Sequence, residues 1–579
     1  MASLYPPSLP EMKKRTIFAI LALFTVFISA RLFPVLAQEN NKFGISLLQP
    51  TSEDIMNAAD LVNTNGDWGY VMLVIQENDR DVRKWQDIFN ELRVSHLIPI
   101  VRLATSPQGE VWRKPEGKDA KEWVEFLNKL NWVVKKRYVV LFNEPNHASE
   151  WGGAVDPEGF ANITTVFAKA LKQSNKDYLV MLAGLDSAAP QYPDQFWDSG
   201  EFMRAMCKDR GLCKVLFENV DAWASHSYPN PGFSGSVWDS GKKSIRGYQY
   251  ELDLLKELGI EKSFPVFITE TGWQQKSLTE DTIGENMRIA FQSIWGQDPR
   301  VQAVTPFVFK YLSEPFVGFS WKTENGFTKQ YEVVKNLPKQ IGVPEQIEGG
   351  LLQVDLPTKL VVNSNYKVSL YLKNTGQGIW DKNNGYELAI ETSGANPFLT
   401  LLPDLKKIQP FEEANLFMSV KTVTEPQNYN VSFVLRRNGS TILKTPAHSV
   451  TIEPLPELSL KTSLFPKFVS NGDNFEVQFF NREEELVFAK KGVQIRNGTA
   501  TVSDIQNVVP GQQYRIVLLG YPYLPRQTKI VLNESKNMAI FKRMLPFDAN
   551  GDGRWDFGDI KATLTHLDFL LRFIPWNQL

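Results

Sequence analysis

Two cysteines in 579 residues, Cys207 and Cys213, are too few for a disulfide-scaffolded fold or a cysteine metal cage. They stand close together in CKDRGLC, and either close one small loop as a disulfide or remain two thiols near a helix end. Five histidines, spread over the whole length, disfavour a histidine-rich metal site and with it a metal-dependent hydrolase barrel. A net charge of −2 supplies no basic surface for nucleic acid or an acidic membrane. The apolar run from Ile17 to Ala30 is short for a membrane span and is followed at once by Arg31. No glycine-rich turn follows the first strand, which removes the main sign of a doubly wound, dinucleotide-binding sheet.

What is present begins with export. Lys13, Lys14 and Arg15 precede the apolar run, and VLA at Val35 to Ala37 supplies the small residues of a peptidase site. That order predicts a secretory signal over 1–37; the competing reading is an uncleaved membrane anchor. Either way the protein is expected outside the cytoplasm. Hydrophobic content of 43% and charged content of 22% are those of a folded globular protein, and the length predicts three or four domains. Aromatic content of 12%, with 15 Trp, suits sugar-stacking platforms and large cores alike, so composition does not choose between them.

From residue 41 to 342 short apolar strands alternate with amphipathic stretches. The strands are FGIS at Phe43, YVMLVI at Tyr70, LIPIVRL at Leu97, YVVLF at Tyr138, YLVMLAG at Tyr178, VDAWASH at Val220, FPVFIT at Phe264 and VTPFVF at Val304. Eight such repeats over about 300 residues predict an α/β (β/α)8 TIM barrel. Pro344 and the Gly349–Gly350 pair mark a linker. Period-two alternation then predicts a β-sandwich over 351–455, and YLKNTGQGIW in it resembles immunoglobulin-like modules. A second boundary at PLPELS opens a further β-sandwich over 456–545, whose role is a spacer or a sugar-binding module.

The last segment, 546–579, carries DANGDGRWDFGD. Asp548, Asn550, Asp552, Asp556 and Asp559 fall at positions 1, 3, 5, 9 and 12 of a cation loop, with Gly553 at the sharp turn. A hard cation needs six or more oxygens, and Arg554 supplies its backbone carbonyl at position 7. This predicts a structural Ca2+ site of EF-hand type. The loop resembles those of dockerin modules, which implies a cohesin-like or cell-surface partner, although dockerins carry two loops and this chain has one.

Catalytic groups of such barrels sit at the C-terminal ends of strands. Those ends give Arg102 on strand three, Asn143 and Glu144 on strand four, His226 and Tyr228 on strand six, and Glu270 on strand seven. Barrel closure sets Glu144 and Glu270 on opposite walls of one mouth. Two facing carboxylates are what glycosidic bond cleavage needs, one protonating the leaving oxygen and the other attacking or activating water. Arg102 reads equally well as a structural ion-pair residue, and His226 as a satisfied core histidine.

NEP after strand four, HSYPNP after strand six and TETGW after strand seven resemble the clan A glycoside hydrolases, retaining enzymes on a (β/α)8 barrel. The resemblance implies Glu144 as acid/base and Glu270 as nucleophile, with no cofactor in catalysis. It implies that Asn143 holds the sugar 2-hydroxyl, that Tyr228 and Arg102 engage Glu270, and that His226 lines the same wall. Clan members often place a Trp at the end of strand eight, where this chain has TPFVFKYL, with Phe309 and Lys310. Trp151, Trp273 and Trp321 are the alternative stacking candidates. The expected function is an exported retaining glycosidase acting on a poly- or oligosaccharide. A non-catalytic carbohydrate-binding or adhesion protein and a transglycosylase are the alternatives.

Overall fold

The computed structural model describes residues 41–399, 402–466 and 469–565. The secretory segment read over 1–37 and the end of the dockerin-like segment lie outside them. Among the described residues no helix is long and apolar enough to cross a membrane. The chain divides into two compact units, one ending at Ile347 and the other starting at Glu348.

The first unit is built on eight parallel strands. They are β1 (Gly44–Leu47), β2 (Gly69–Gln76), β3 (Leu97–Ala104), β4 (Arg137–Leu141), β5 (Tyr178–Leu182), β6 (Trp223–His226), β7 (Val266–Glu270) and β8 (Val301–Val304). Continuous ladders join β1 to β5 in order, and β6 to β8 in order. Parallel bridges at Met181 with Ala222 and at Phe43 with Val304 close the ring. Every strand but β8 is almost wholly buried, as near-continuous Val, Ile and Leu runs require when helices cover the outer face. The helices start where a side-chain oxygen takes up free backbone amides. Asp81 accepts from Arg83 and Lys84 N ahead of Val82–Val94, and Asp156 accepts from Gly159 N with Pro157 in the first turn of Pro157–Ser174. The apolar core runs from Phe43 to Leu337 as one cluster. Cys207 and Cys213 are joined as a disulfide, which resolves the open alternative toward the closed loop.

Two boundaries differ from the sequence expectation. Strand eight ends at Val304 rather than beginning there, because Pro306 has no amide to give to a ladder. The residues after it are pinned individually instead: Phe307 N donates to Thr271 O and Phe309 N to Ser46 O. The barrel unit also runs past 342, since Gln346 Nε2 donates to the buried Val133 carbonyl.

The second unit holds two pairs of sheets. A four-stranded antiparallel sheet centred on Asn365–Asn374 and Glu413–Thr422 and a five-stranded sheet centred on Gln427–Arg437 make the first pair. A three-stranded and a four-stranded sheet, the latter centred on Gly472–Phe480 and Gln513–Gly520, make the second. The expected division at 455/456 separates the sheets but not the core: one apolar cluster extends from Leu352 to Met544. Tyr366 seals the seam, its Oη donating to Val508 O and accepting from Val361 N, each at 2.8 Å.

Candidate active site

The apolar run of β4 ends at Leu141, and the chain then turns through two left-handed residues, Phe142 at φ +72° and Glu144 at φ +28°. Each costs about 1–3 kcal/mol for a side chain with a Cβ, strain that surrounding structure must hold in place. It is held: Glu144 N donates to the Gly184 carbonyl beyond β5, and the Glu144 carbonyl accepts from His147 N. The turn leaves Asn143 and Glu144 lining a cleft of about 980 Å3 at the C-terminal mouth of the barrel.

Glu270, the last residue of β7, enters the same cleft. Arg102 of β3 donates through one guanidinium nitrogen to Glu270 Oε1 at 2.5 Å and to Asn143 Oδ1 at 2.7 Å. Tyr228 Oη donates to the other carboxylate oxygen at 3.1 Å. Burial alone would raise the Glu270 pKa, but the charges of His226 and Arg102 and the two hydrogen bonds hold it below the ordinary carboxylate value. Burial, Glu270 and Glu144 together push the Tyr228 hydroxyl well above its usual value, so it remains a donor.

His226 ends β6 between the two carboxylates. Its Nδ1 is 2.8 Å from Glu144 Oε1 and 3.7 Å from Glu270 Oε2. Burial opposes a charge on the ring, yet Glu270 and Glu144 overcome it and its pKa is raised. A carboxylate oxygen from each glutamate and a nitrogen of His226 all lie within 4.8 Å of one another. Gly184 makes room for this ring: a Cβ there would stand 2.2 Å from His226 Cδ2. The three-residue cluster has the atoms to ligate a metal, but Arg102 and Tyr228 already occupy both Glu270 oxygens and Arg102 brings the positive charge.

Arg102, Asn143, Glu144, His226, Tyr228 and Glu270 are therefore brought together, and the three candidate tryptophans are not alike. Trp151 is buried yet lines the cleft, packed edge-on against Phe142 and Phe160, and its Nε1 has no partner among the described residues. Trp273 and Trp321 do not line it. Trp273 is 1% exposed and spends its Nε1 on the Gly235 carbonyl at 2.8 Å, bracing the loop after β6. Trp321 is likewise 1% exposed and belongs to the barrel core. Both rings pack inward, a direction that spacing along the chain does not reveal.

The aromatic wall comes instead from residues the strand ends did not suggest. Phe307 stands three residues past the end of β8, with Phe309 and Lys310 following it, and is edge-on to Phe316 at 5.3 Å and to Phe319 at 6.0 Å. Phe319 meets Phe233 and Tyr228 in the same manner. On the β4 side, Glu150 and the His147–Asp186 pair, bonded at 2.9 Å, also face the cleft. Glu150 follows directly before Trp151 in the loop, and a search of loop carboxylates as well as strand ends would have found it.

In the second unit Asp548, Asp552 and Asp559 each offer an oxygen within 4.8 Å of the others. Asp548 is buried, and its Oδ1 has no hydrogen-bond partner among the described residues, while Oδ2 accepts from Gly553 N. Asn550 joins the ring through its bond to Asp552 Oδ2 at 2.8 Å. Asp556 is outside that carboxylate group; its Oδ1 accepts from Gly558 N as the helix Phe557–Thr565 begins. Arg554 is exposed, its amide bonded to Asp552.

No protein-family model matches the chain, and no curated protein matches it. Among solved structures it is similar to a family 39 glycoside hydrolase from the gut symbiont Bacteroides cellulosilyticus, at 13% identity and TM-score 0.38, over 66% of this chain and 80% of that one. It is also similar to a Thermomonospora fusca β-mannanase, at 12% identity and TM-score 0.35, over 52% and 91% of the two chains. A family 51 α-L-arabinofuranosidase from Bifidobacterium longum matches at 10% identity and TM-score 0.36, over 83% of this chain and 96% of that one.

Proposed function

We propose that the protein is an exported retaining glycoside hydrolase acting on a poly- or oligosaccharide. The observation that carries this is the spacing of the two glutamates: oxygens within 4.8 Å suit double displacement, whose carboxyl groups stand about 5–5.5 Å apart. Inversion needs about 6.5–9.5 Å, to admit a water between sugar and base. Glu270, kept ionised by Arg102 and Tyr228, attacks the anomeric carbon while Glu144 gives its proton to the leaving oxygen. Glu144, now a base, takes a proton from the water that attacks the glycosyl ester, and Glu270 leaves as the carboxylate. Asn143, fixed by Arg102, faces the cleft as the partner for the sugar 2-hydroxyl.

Export is supported by the basic, apolar and small-residue order of the N-terminus and by the Cys207–Cys213 disulfide, a bond suited to oxidising compartments. The C-terminal loop is a structural Ca2+ site in this proposal. The unpartnered, buried Asp548 Oδ1 is what a hard cation would satisfy, with Asn550, Asp552, Asp559 and the Arg554 carbonyl as further ligands and Asp556 acting through water. A cohesin-like or cell-surface partner for that segment has only its dockerin-like sequence in support.

The test is sugar release from a panel of plant, fungal and bacterial glycans by wild type, Glu270→Ala and Glu144→Ala. Loss in both variants, on the order of a thousandfold or more, is expected. Release that survives both would refute the assignment. Transfer of the sugar to an acceptor in place of water would make the protein a transglycosylase. Tight binding without release would make it a binding protein.

A further inference from the structure

Five carboxylates line the cleft, and four of them are accounted for. Glu270 is paired with Arg102, Glu144 is bonded to His226, and Asp186 is bonded to His147. Asp54 accepts from the Thr51 hydroxyl and lies 3.9 Å from Lys322. Glu150 is the fifth, half-buried on the short helical turn Ala148–Glu150 after β4, and it has no ion pair among the described residues. Its hydrogen-bonding neighbour is the side-chain amide of Asn143, whose Oδ1 is already taken by Arg102.

We propose that Glu150 is a specificity-determining residue that contacts substrate: its carboxylate accepts hydrogen bonds from the sugar bound beside Glu144, and it turns away sugars that carry a carboxylate there. The proposal rests on the glycosidase reading of the same cleft. A carboxylate accepts without donating, so hydroxyl or amine groups of a sugar satisfy it and a second anion does not. The Asn143 amide leaves acceptor sites on this half-buried carboxylate open, and substrate hydroxyls are donors that can fill them. Burial first, and then the charge of Glu144, push the Glu150 pKa up to about 6, outweighing the Asn143 hydrogen bond and the charge of Arg102. Two like charges about 5 Å apart, at an effective dielectric near 20, oppose each other enough for roughly a hundredfold discrimination. Lys310 is exposed on the β8 side of the cleft, so the exclusion is confined to the β4 side.

The experiment uses the oligosaccharide that wild type cleaves and the same oligosaccharide oxidised at its primary hydroxyls to uronates. Wild type should favour the neutral form by on the order of a hundredfold in kcat/KM. Glu150→Gln should narrow that ratio at least tenfold, chiefly through KM of the oxidised form, and Glu150→Asp should restore it. An unchanged ratio in a folded Glu150→Gln would overturn the proposal. So would a wild-type preference below about tenfold, a measurement that needs no variant. Glu270→Ala runs alongside: if it still releases sugar the glycosidase reading itself fails, whereas if it is dead and the Glu150 ratio stays fixed only the present proposal fails.

Discussion

Replacing Gly184 by alanine tests the geometry of the Glu144–His226–Glu270 cluster without any knowledge of substrate. The added methyl would lie 2.2, 2.6 and 2.8 Å from Cδ2, Nε2 and Cγ of His226, all far inside van der Waals contact. The ring has nowhere to retreat, being 2% exposed and bonded to Glu144 at 2.8 Å. Overpacking of this kind costs about 1–3 kcal/mol, and a hydrogen bond to a charged group about 1.5–3 kcal/mol. Because the two losses share one movement they do not simply add, and about 2–5 kcal/mol is expected. Denaturant unfolding followed by tryptophan fluorescence would measure it, in wild type and in a His226→Ala background. Without the imidazole the methyl has space, so Gly184→Ala should then cost less than about 1 kcal/mol, leaving a coupling energy of at least ~1 kcal/mol. Equal costs in both backgrounds would refute the claim that Gly184 is there to seat His226.

Arg102→Met removes the cation that keeps Glu270 ionised, so the Glu270 pKa must rise. A charged hydrogen bond of about 1.5–3 kcal/mol corresponds to a shift of about 1–2 pH units, and the acid limb of kcat/KM should move up by that amount. An unmoved limb would assign Arg102 a purely structural role. Away from the site, Arg113 and Ser106 hold the Glu77 carboxyl down to about 2 from its ordinary 4.5, the hydrogen bonds from Arg113 outweighing burial. Its folded pKa is depressed, so this stabilisation is complete above pH 4.5 and is lost as the pH falls toward 2. Discounted for partial exposure it amounts to about 2 kcal/mol, and Glu77→Gln should flatten the acid side of the stability curve by that much. In the second unit, Ca2+ at about a hundred times its dissociation constant should stabilise by about 2.7 kcal/mol. Calorimetry of Asp548→Ala should show that gain abolished, and wild type indifferent to millimolar Ca2+ would dismiss the cation site.

The rhythm of the barrel was written into the chain. Runs such as Tyr138–Leu141 favour a buried strand, and Asp81 and Asp156 announce where helices begin. That period also located Glu144 and Glu270 at strand ends, because a β/α repeat fixes where each strand stops. The apolar composition of strand eight conceals its end, for Phe307 and Phe309 read as strand residues although Pro306 ends the ladder. The single core beneath both sandwiches was likewise hidden, since Tyr366 meets Val508 across 142 positions of chain.

Sequence by itself determined the order of elements, the acidic loop at Asp548–Asp559 and the two glutamates, all of which depend on local spacing. Only the tertiary structure decided which side chains meet. It bent Phe142 and Glu144 into left-handed turns, seated His226 against Gly184, and buried Trp273 and Trp321 while turning Phe307, Phe319 and Glu150 to the cleft. The reason is physical. A strand's end follows from the conformations its own residues permit, whereas the direction of a loop side chain is set by packing against residues far away in the chain.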